Sequence, residues 1–274
     1  MITWIKEQLH PAPLTLSNGK VVTPKRSAMV YVVPILVVLT LWAMDITRFN
    51  FITLFRRGGQ FFVMIGRMIP PDWAYFPSII EPLIETIMMS ITGTLVGAAL
   101  ALPLAFLSSD NIIRNKVFLW VNRLFFSVLR TLPILVFALL FKYIFGIGAF
   151  AGTLAIAFFT WLIMTKMLYE IVETIDMGPF EAIESSGATR LRAFWSAIMP
   201  QILGQYISIT LYNFEMNVRS AAILGYVGAG GLGLLLNEKL GWRQYDKVGL
   251  ILLALLFTVY AIESTSRLIR KKLS

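Results

Sequence analysis

Ile87–Leu107, IMMSITGTLVGAALALPLAFL, is the stretch that decides the fold. It holds no charged residue, and it reaches the about 20 apolar residues that a helix needs to cross the hydrocarbon core of a bilayer. In lipid every backbone polar group must be satisfied within the protein, which makes a helix the expected form. Gly93, Gly97 and Ala101 recur four apart on one face of that helix. Small residues at this spacing let two helix backbones approach closely.

Outward from this run, five more apolar stretches qualify as spans: Ala28–Met44, Leu124–Phe145, Phe150–Leu168, Ile202–Leu224 and Val248–Ile262. The expected fold is therefore an all-α polytopic membrane protein with six transmembrane helices. Composition agrees. Hydrophobic residues make up 57% of the chain and charged residues 14%, against about 25% charged in soluble domains. The mean hydropathy is +0.75. There is no cysteine, which excludes disulfides and thiolate chemistry, and a single histidine, His10, which excludes histidine metal clusters and Ser-His catalysis. No metal site is expected.

The net charge of +9 would suggest nucleic acid in a soluble protein. Here the basic residues sit at the ends of apolar runs, where they set membrane orientation. Lipid is the expected partner and nucleic acid is not. Placing both termini in the cytoplasm puts Lys6, Arg26, Arg114, Arg123, Arg190 and the Arg267–Lys272 cluster on that side. Residues 1–27 read as a polar cytoplasmic arm rather than a cleavable signal, because no apolar region and small-residue cleavage site follow one another there. The outer segment Asp45–Pro82 mixes Phe51, Phe55, Phe61, Phe62 and Ile65 with Arg56, Arg57 and Arg67. A helix at the interface with snorkelling arginines is expected.

Tyr169–Pro200 is the longest polar interruption in the second half. It reads as a helix-turn-helix. Gly178 is a candidate N-cap, with Pro179 in the first turn, where its missing N–H costs nothing. Glu181 and Glu184 favour the helix dipole, and Gly187 supplies a stop. A second helix is expected from Thr189, with Leu191, Trp195 and Ile198 as an apolar stripe. A capped helix with acids at one end suits docking to a soluble partner; a partnerless interfacial helix is the plainer alternative.

Glu181-Ala182-Ile183, Gly187-Ala188, Phe194 and Ile198-Met199-Pro200 resemble the EAA loop of ABC-importer permeases. Ile183 and Met199 stand where that family has Ala and Leu. The resemblance covers Ile87–Ile262, in the order of the five-helix core of the methionine-permease type, with Ala28–Met44 as an added N-terminal helix. It implies four segments: arm 1–27, first helix and outer segment 28–82, permease core 83–266 including the loop 169–200, and a basic cytoplasmic tail 267–274. It also implies that Glu181, Ala182, Ile183, Glu184, Gly187, Ala188, Phe194 and Pro200 contact an ATPase subunit. That subunit would hold ATP and magnesium, leaving this chain without a cofactor and not itself an enzyme. An extracytoplasmic substrate-binding protein and a second permease copy, in a homodimer, complete the implied assembly, in the plasma membrane of a bacterium. The sequence has no phosphate-binding loop of its own: Gly19-Lys20 is followed by Val21.

Charge inside a span is costly unless paired or hydrated. Glu215 and Arg219 lie four apart on one helix face. They are expected to neutralise each other, with Arg219 on the path of an anion and Asn213, Glu215 and Asn217 shaping it. Arg130, before Thr131-Leu132-Pro133, is a second candidate. Gly225–Gly233 formally contains a dinucleotide fingerprint, but a membrane span precedes it rather than a strand. Gly228, Gly230 and Gly231 read instead as a gate or as tight packing. The run Asn213–Gly233, with Arg130-Thr131-Leu132-Pro133, is similar to phosphonate permeases of the PhnE type, which implies import of phosphonate, phosphite or phosphate. Another small solute such as methionine, or an ion-coupled carrier, is the alternative. A membrane enzyme is disfavoured, because Asp45, Asp72 and Glu81 are too scattered to form a metal site.

Overall fold

The structure is a computed structural model that describes residues 14–15, 19–22 and 28–273. Most of the arm expected over 1–27, including His10, lies outside the described residues. The chain divides into two compact units, Met1–Val63 and Met64–Ser274.

In the first unit, β1 (Leu14–Thr15) and β2 (Val21–Val22) form a short antiparallel pair. Helix α1 (Met29–Ile46) follows, then α2 (Phe51–Met68), which runs on into the second unit. α1 is apolar on all sides and exposes Val32, Leu36, Leu39 and Trp42, the pattern of a helix that meets lipid. α2 is one continuous helix whose apolar side chains Phe51, Phe55 and Phe62 are exposed. The segment after α1 is thus helical, as its pattern indicates, and bends 63° from α1. Its helix ends at Met68. A short turn then leads into the next helix well before Pro82.

The second unit is built on α3 (Phe76–Ser108) and α6 (Ala149–Val172). The glycine stripe of α3 faces α6 as its spacing indicates. A Cβ at Gly93 would lie 2.6 Å from Ile156 Cγ2, and one at Gly97 would lie 2.6 Å from the Ala157 carbonyl oxygen. Farther along the same face Ala101 and Ala105 are buried with Met164 and Leu168. Pro82 and Pro103 lie inside α3 without ending it. Thr86 Oγ1 donates back to the Pro82 carbonyl one turn earlier, at 2.8 Å.

α4 (Lys116–Arg130) and α5 (Ile134–Phe145) follow α3. The stretch expected as one span over Leu124–Phe145 is built from two helices, bent by 85°. Proline removes the helical conformation from the residue before it, and Pro133 caps α5 with extended backbone. Beyond α6 come α7 (Gly178–Ser185), α8 (Arg190–Ala193) and a π-helical turn at Phe194–Ile198. α9 (Met199–Leu224) breaks at Gly225–Val227 into α10 (Gly231–Gly241), and α11 (Tyr245–Leu273) closes the described chain. The basic residues Arg267–Lys272 lie in the last turns of α11.

Trp73–Ser108, Ala149–Val172 and Tyr245–Lys272 are each long and apolar enough to cross a membrane. Three bent pairs, α1 with α2, α4 with α5, and the α8–α9 segment with α10, bring the count among the described residues to six if each pair makes one crossing. α3, α10 and α11 meet in an apolar cluster of Ile79, Leu232, Leu236, Val248, Leu250 and Ile251.

Gly97→Ala should lower stability by about 1–3 kcal/mol through overpacking. Gly58→Ala, where a Cβ would have nothing within 4 Å, should not. Thermal unfolding in detergent checks both.

Candidate functional site

The acidic knob is rooted by one aromatic side chain. Asp176 Oδ1 accepts from the Gly178 N–H at 2.9 Å and starts α7; the cap itself falls at Met177, one residue before the expected Gly178. Phe180, in the first turn, is buried with Ile112, Val172, Phe194, Ala197, Ile198 and Ile202. Glu181 and Ala182 stand next to it, exposed, and Ile183, Glu184 and Ala188 are half-buried. Gly187 has a φ of +88°, which only glycine adopts without strain. Thr189 then caps α8, its Oγ1 accepting from the Arg192 N–H. Arg190 returns to the knob: Nε donates to Glu184 Oε1 at 2.8 Å, and an Nη donates to the Ile112 carbonyl at 2.8 Å.

The stripe expected at Leu191, Trp195 and Ile198 is corrected. Ile198 is fully buried, but Leu191 and Trp195 are exposed. The π turn adds a residue to the helical register, and Ala193, Phe194 and Ala197 take the inner face instead. Pro200 enters the first turn of α9.

Glu215 and Arg219 do not pair with each other. Each bonds across to α11. Arg270 donates to Glu215 Oε1 at 2.7 Å, and Arg219 meets Glu263 Oε2 at 3.3 Å. Glu263 also accepts from Arg267 at 2.8 Å. Two turns of α11 present Glu263 and Arg270 to one side, and α9 runs antiparallel to it, so cross-helix partners lie nearer than the neighbour one turn along. Glu215 is only 6% exposed, whereas Arg219 is 45% exposed.

Asn217 is buried and donates to Thr94 Oγ1 and Thr160 Oγ1, each at 2.8 Å. It ties α9 to α3 and α6 at the level of the glycine stripe. Asn213 is also buried and bonds its own helix, at the Ile209 carbonyl. Arg130 ends α4, half-buried, and makes no ion pair among the described residues.

The glycine run forms the break between α9 and α10. Gly228, Gly230 and Gly231 all have positive φ. A Cβ at Gly230 would meet the Ala149 N at 2.7 Å, and one at Gly225 would lie 2.1 Å from Gly233 C. The Gly148 N–H donates to the Gly228 carbonyl at 3.0 Å. α10 begins on an acid: the Gly231 N–H donates to Glu85 Oε2 at 2.9 Å, and the Leu232 N–H to Thr86 Oγ1 at 2.8 Å. Carboxylates are stabilised at a helix N-terminus. Sequence reasoning missed Glu85, which lies just before the uncharged run. It also missed Arg270 and Glu263, although Glu263, Arg267 and Arg270 have the spacing of one helix face. Among the described residues, no group of three His, Cys, Asp or Glu could hold a metal ion.

Residues 101–273, which contain the knob and the glycine break, match the family described as binding-protein-dependent transport system inner membrane component. The chain belongs to that family. This permease is 34% identical over 208 residues to the phosphite transport system permease protein PtxC of Stutzerimonas stutzeri, covering 76% of each chain. It is 35% identical over 208 residues to the phosphate-import permease protein PhnE of Mycolicibacterium smegmatis, covering 76% of this chain and 39% of that one. Its fold is similar to the MetNI methionine ABC transporter in inward-facing conformations, at a TM-score of 0.65 and 20% identity, over 74% of this chain and 99% of the other. The permease is thus of the ABC-importer type to which PhnE belongs. Subunits of this kind are pore components of the inner membrane and not themselves enzymes.

Arg270→Gln should destabilise the permease by about 1–3 kcal/mol, because it leaves Glu215 buried without its cation. The double change Glu215→Gln with Arg270→Gln should recover much of the loss. A double-mutant cycle on detergent melting temperatures measures the difference.

Proposed function

We propose that this permease imports phosphite, phosphonate or a related phosphorus oxyanion, driven by ATP and magnesium on separate ATPase subunits. The observation that supports it most is its 34% identity, over three quarters of both chains, to a phosphite permease. The ABC-importer family implies ATPase, substrate-binding and permease partners. For this chain we read them as an ATPase pair, an extracytoplasmic binding protein and a second identical permease.

In this reading α7 is the coupling helix. Its exposed face, Glu181 and Ala182 with Ile183, Glu184, Gly187 and Ala188, docks on the ATPase, while Phe180, Phe194 and Pro200 root it. The geometry suits that role, since an exposed polar ridge stands on a buried aromatic base. Both termini are then cytoplasmic, and segment 83–266 forms the half-pore, with 28–82 as an added N-terminal segment. Closure of the ATPase pair pushes α7 and tilts the spans, so that access alternates.

Arg219 faces the anion's path, with Glu215, Asn213 and Asn217 shaping it. Arg130 is a second cation for the same ligand. A guanidinium suits tetrahedral oxyanions, because its planar fork donates two parallel hydrogen bonds. The break at Gly228, Gly230 and Gly231 serves as the gate, since irregular backbone there already rests on other protein groups. A methionine-type cargo would not need those arginines.

Glu181→Lys is expected to weaken ATPase recovery in pull-down while membrane insertion survives; full recovery would count against the docking role. Arg219→Ala should lower uptake of labelled phosphite into proteoliposomes by roughly tenfold or more, the loss of a charge-assisted bond. Wild-type uptake in that variant would end the anion role.

A further inference from the structure

The loop between α3 and α4, residues 109–115, is held from two directions. On one side it is bonded to the helix-turn-helix that contains α7. Ile112 is buried against Phe180 and Phe194, and Arg190 donates to the Ile112 carbonyl at 2.8 Å. On the other side the loop is bonded to the end of α6, and the end of α3 from which it leaves is bonded to the middle of α4. Arg123 of α4 donates through Nε and an Nη to the Ser108 carbonyl, at 2.9 and 2.6 Å, and pairs with Glu173 at the end of α6. Its guanidinium lies 4.6 Å from the Tyr169 ring centroid. Glu173 also accepts from the Asp110 N–H at 2.8 Å, and Asn111 donates to the Val172 carbonyl at 2.8 Å.

Each bond has a local reason. The last carbonyls of α3 and α6 have no partner within their helices, and a cation is favoured at a helix C-terminus. Arg123 serves both ends at once. Its rigid fork reaches the carbonyl and the carboxylate together, which lysine cannot do.

The consequence is mechanical. By chain connection α7 reaches only α6 on one side and, through α8, α9 on the other. It has no direct chain connection to α3 or α4. Resting on the reading of α7 as the coupling helix, we propose that Arg123 and Glu173 form a positioning clamp. Through loop 109–115 the clamp delivers the displacement of α7 to α3 and α4. All the bonds lie within the second compact unit. They lock the loop to both the residues that lead into α7 and those that follow it.

The test uses the full complex of permease, ATPase and binding protein in proteoliposomes. It measures ATPase recovery, ATP hydrolysis and phosphite uptake together, with melting temperature as a control. Arg123→Gln and Glu173→Gln should keep ATPase recovery and hydrolysis while uptake per ATP falls roughly tenfold, as expected for loss of a charge-assisted bond. The chain has no cysteine, so Arg123→Cys with Glu173→Cys can be joined selectively by a short bis-maleimide. Joining should restore uptake per ATP, and a one-ended maleimide should not. Where Arg123→Gln fails to insert, Arg123→Lys gives the same measurement, with an intermediate loss expected.

Unchanged uptake per ATP in the inserted variants would overturn the clamp. A parallel fall of ATPase recovery and uptake would overturn it too, since the residues would then only shape the docking surface. Failure of the coupling reading itself shows separately, as full ATPase recovery by Glu181→Lys in the same preparation.

Discussion

The structure depends on the close approach of α3 and α6. Between helices in lipid there is no strong hydrophobic drive, so backbone proximity, dispersion and interhelical hydrogen bonds must hold them. Gly93 and Gly97 let the backbones come so near that an added methyl would overlap Ile156 or the Ala157 carbonyl. With that distance set, Thr94 and Thr160 stand opposite each other, and one amide, Asn217, bonds both. α9 is thereby fixed against the pair. A polar side chain that is expensive in lipid becomes affordable because every partner is already in place.

The breaks in the spans follow the same accounting of backbone groups. A helix interrupted in lipid exposes N–H and C=O groups that need partners in the protein. At the α9–α10 break these are Glu85, Thr86 and the backbone at Gly148. Positive φ at three glycines permits the turn, and Gly225 and Gly233 permit the two helices to touch. The α4–α5 break has a different cause, a proline that denies helix to the residue before it. An irregular backbone satisfied by a few discrete partners is suited to having more than one arrangement.

The end of the bundle that contains α7 is organised by arginine. Arg123 and Arg190 each join a carboxylate to a backbone carbonyl at the edge of one loop. A point charge would neutralise the carboxylates, but the planar fork also fixes direction. The α9–α11 seam uses the same residue type in a ladder, Glu215 to Arg270 and Arg219 to Glu263. In both places charge within a membrane protein is managed by pairing between helices, which registers them as well as satisfying them.

Apolar runs, the glycine stripe of α3 and the acidic knob after α6 were legible in the sequence, because each is a local pattern. A bilayer demands a length, close packing demands small residues one turn apart, and a short helix between spans needs a start and a stop. The register of the knob's second helix was not legible, since a π turn shifts it. Nor were the partners of Glu215 and Arg219. Spacing along one helix indicated an internal pair, and the antiparallel neighbour α11 supplied nearer ones. Glu85, Arg123 and Glu173 have no distinguishing local pattern; only the folded chain brings them to helix ends left without partners. A sequence sets which groups are costly to leave alone, and the tertiary structure decides which distant group answers each of them.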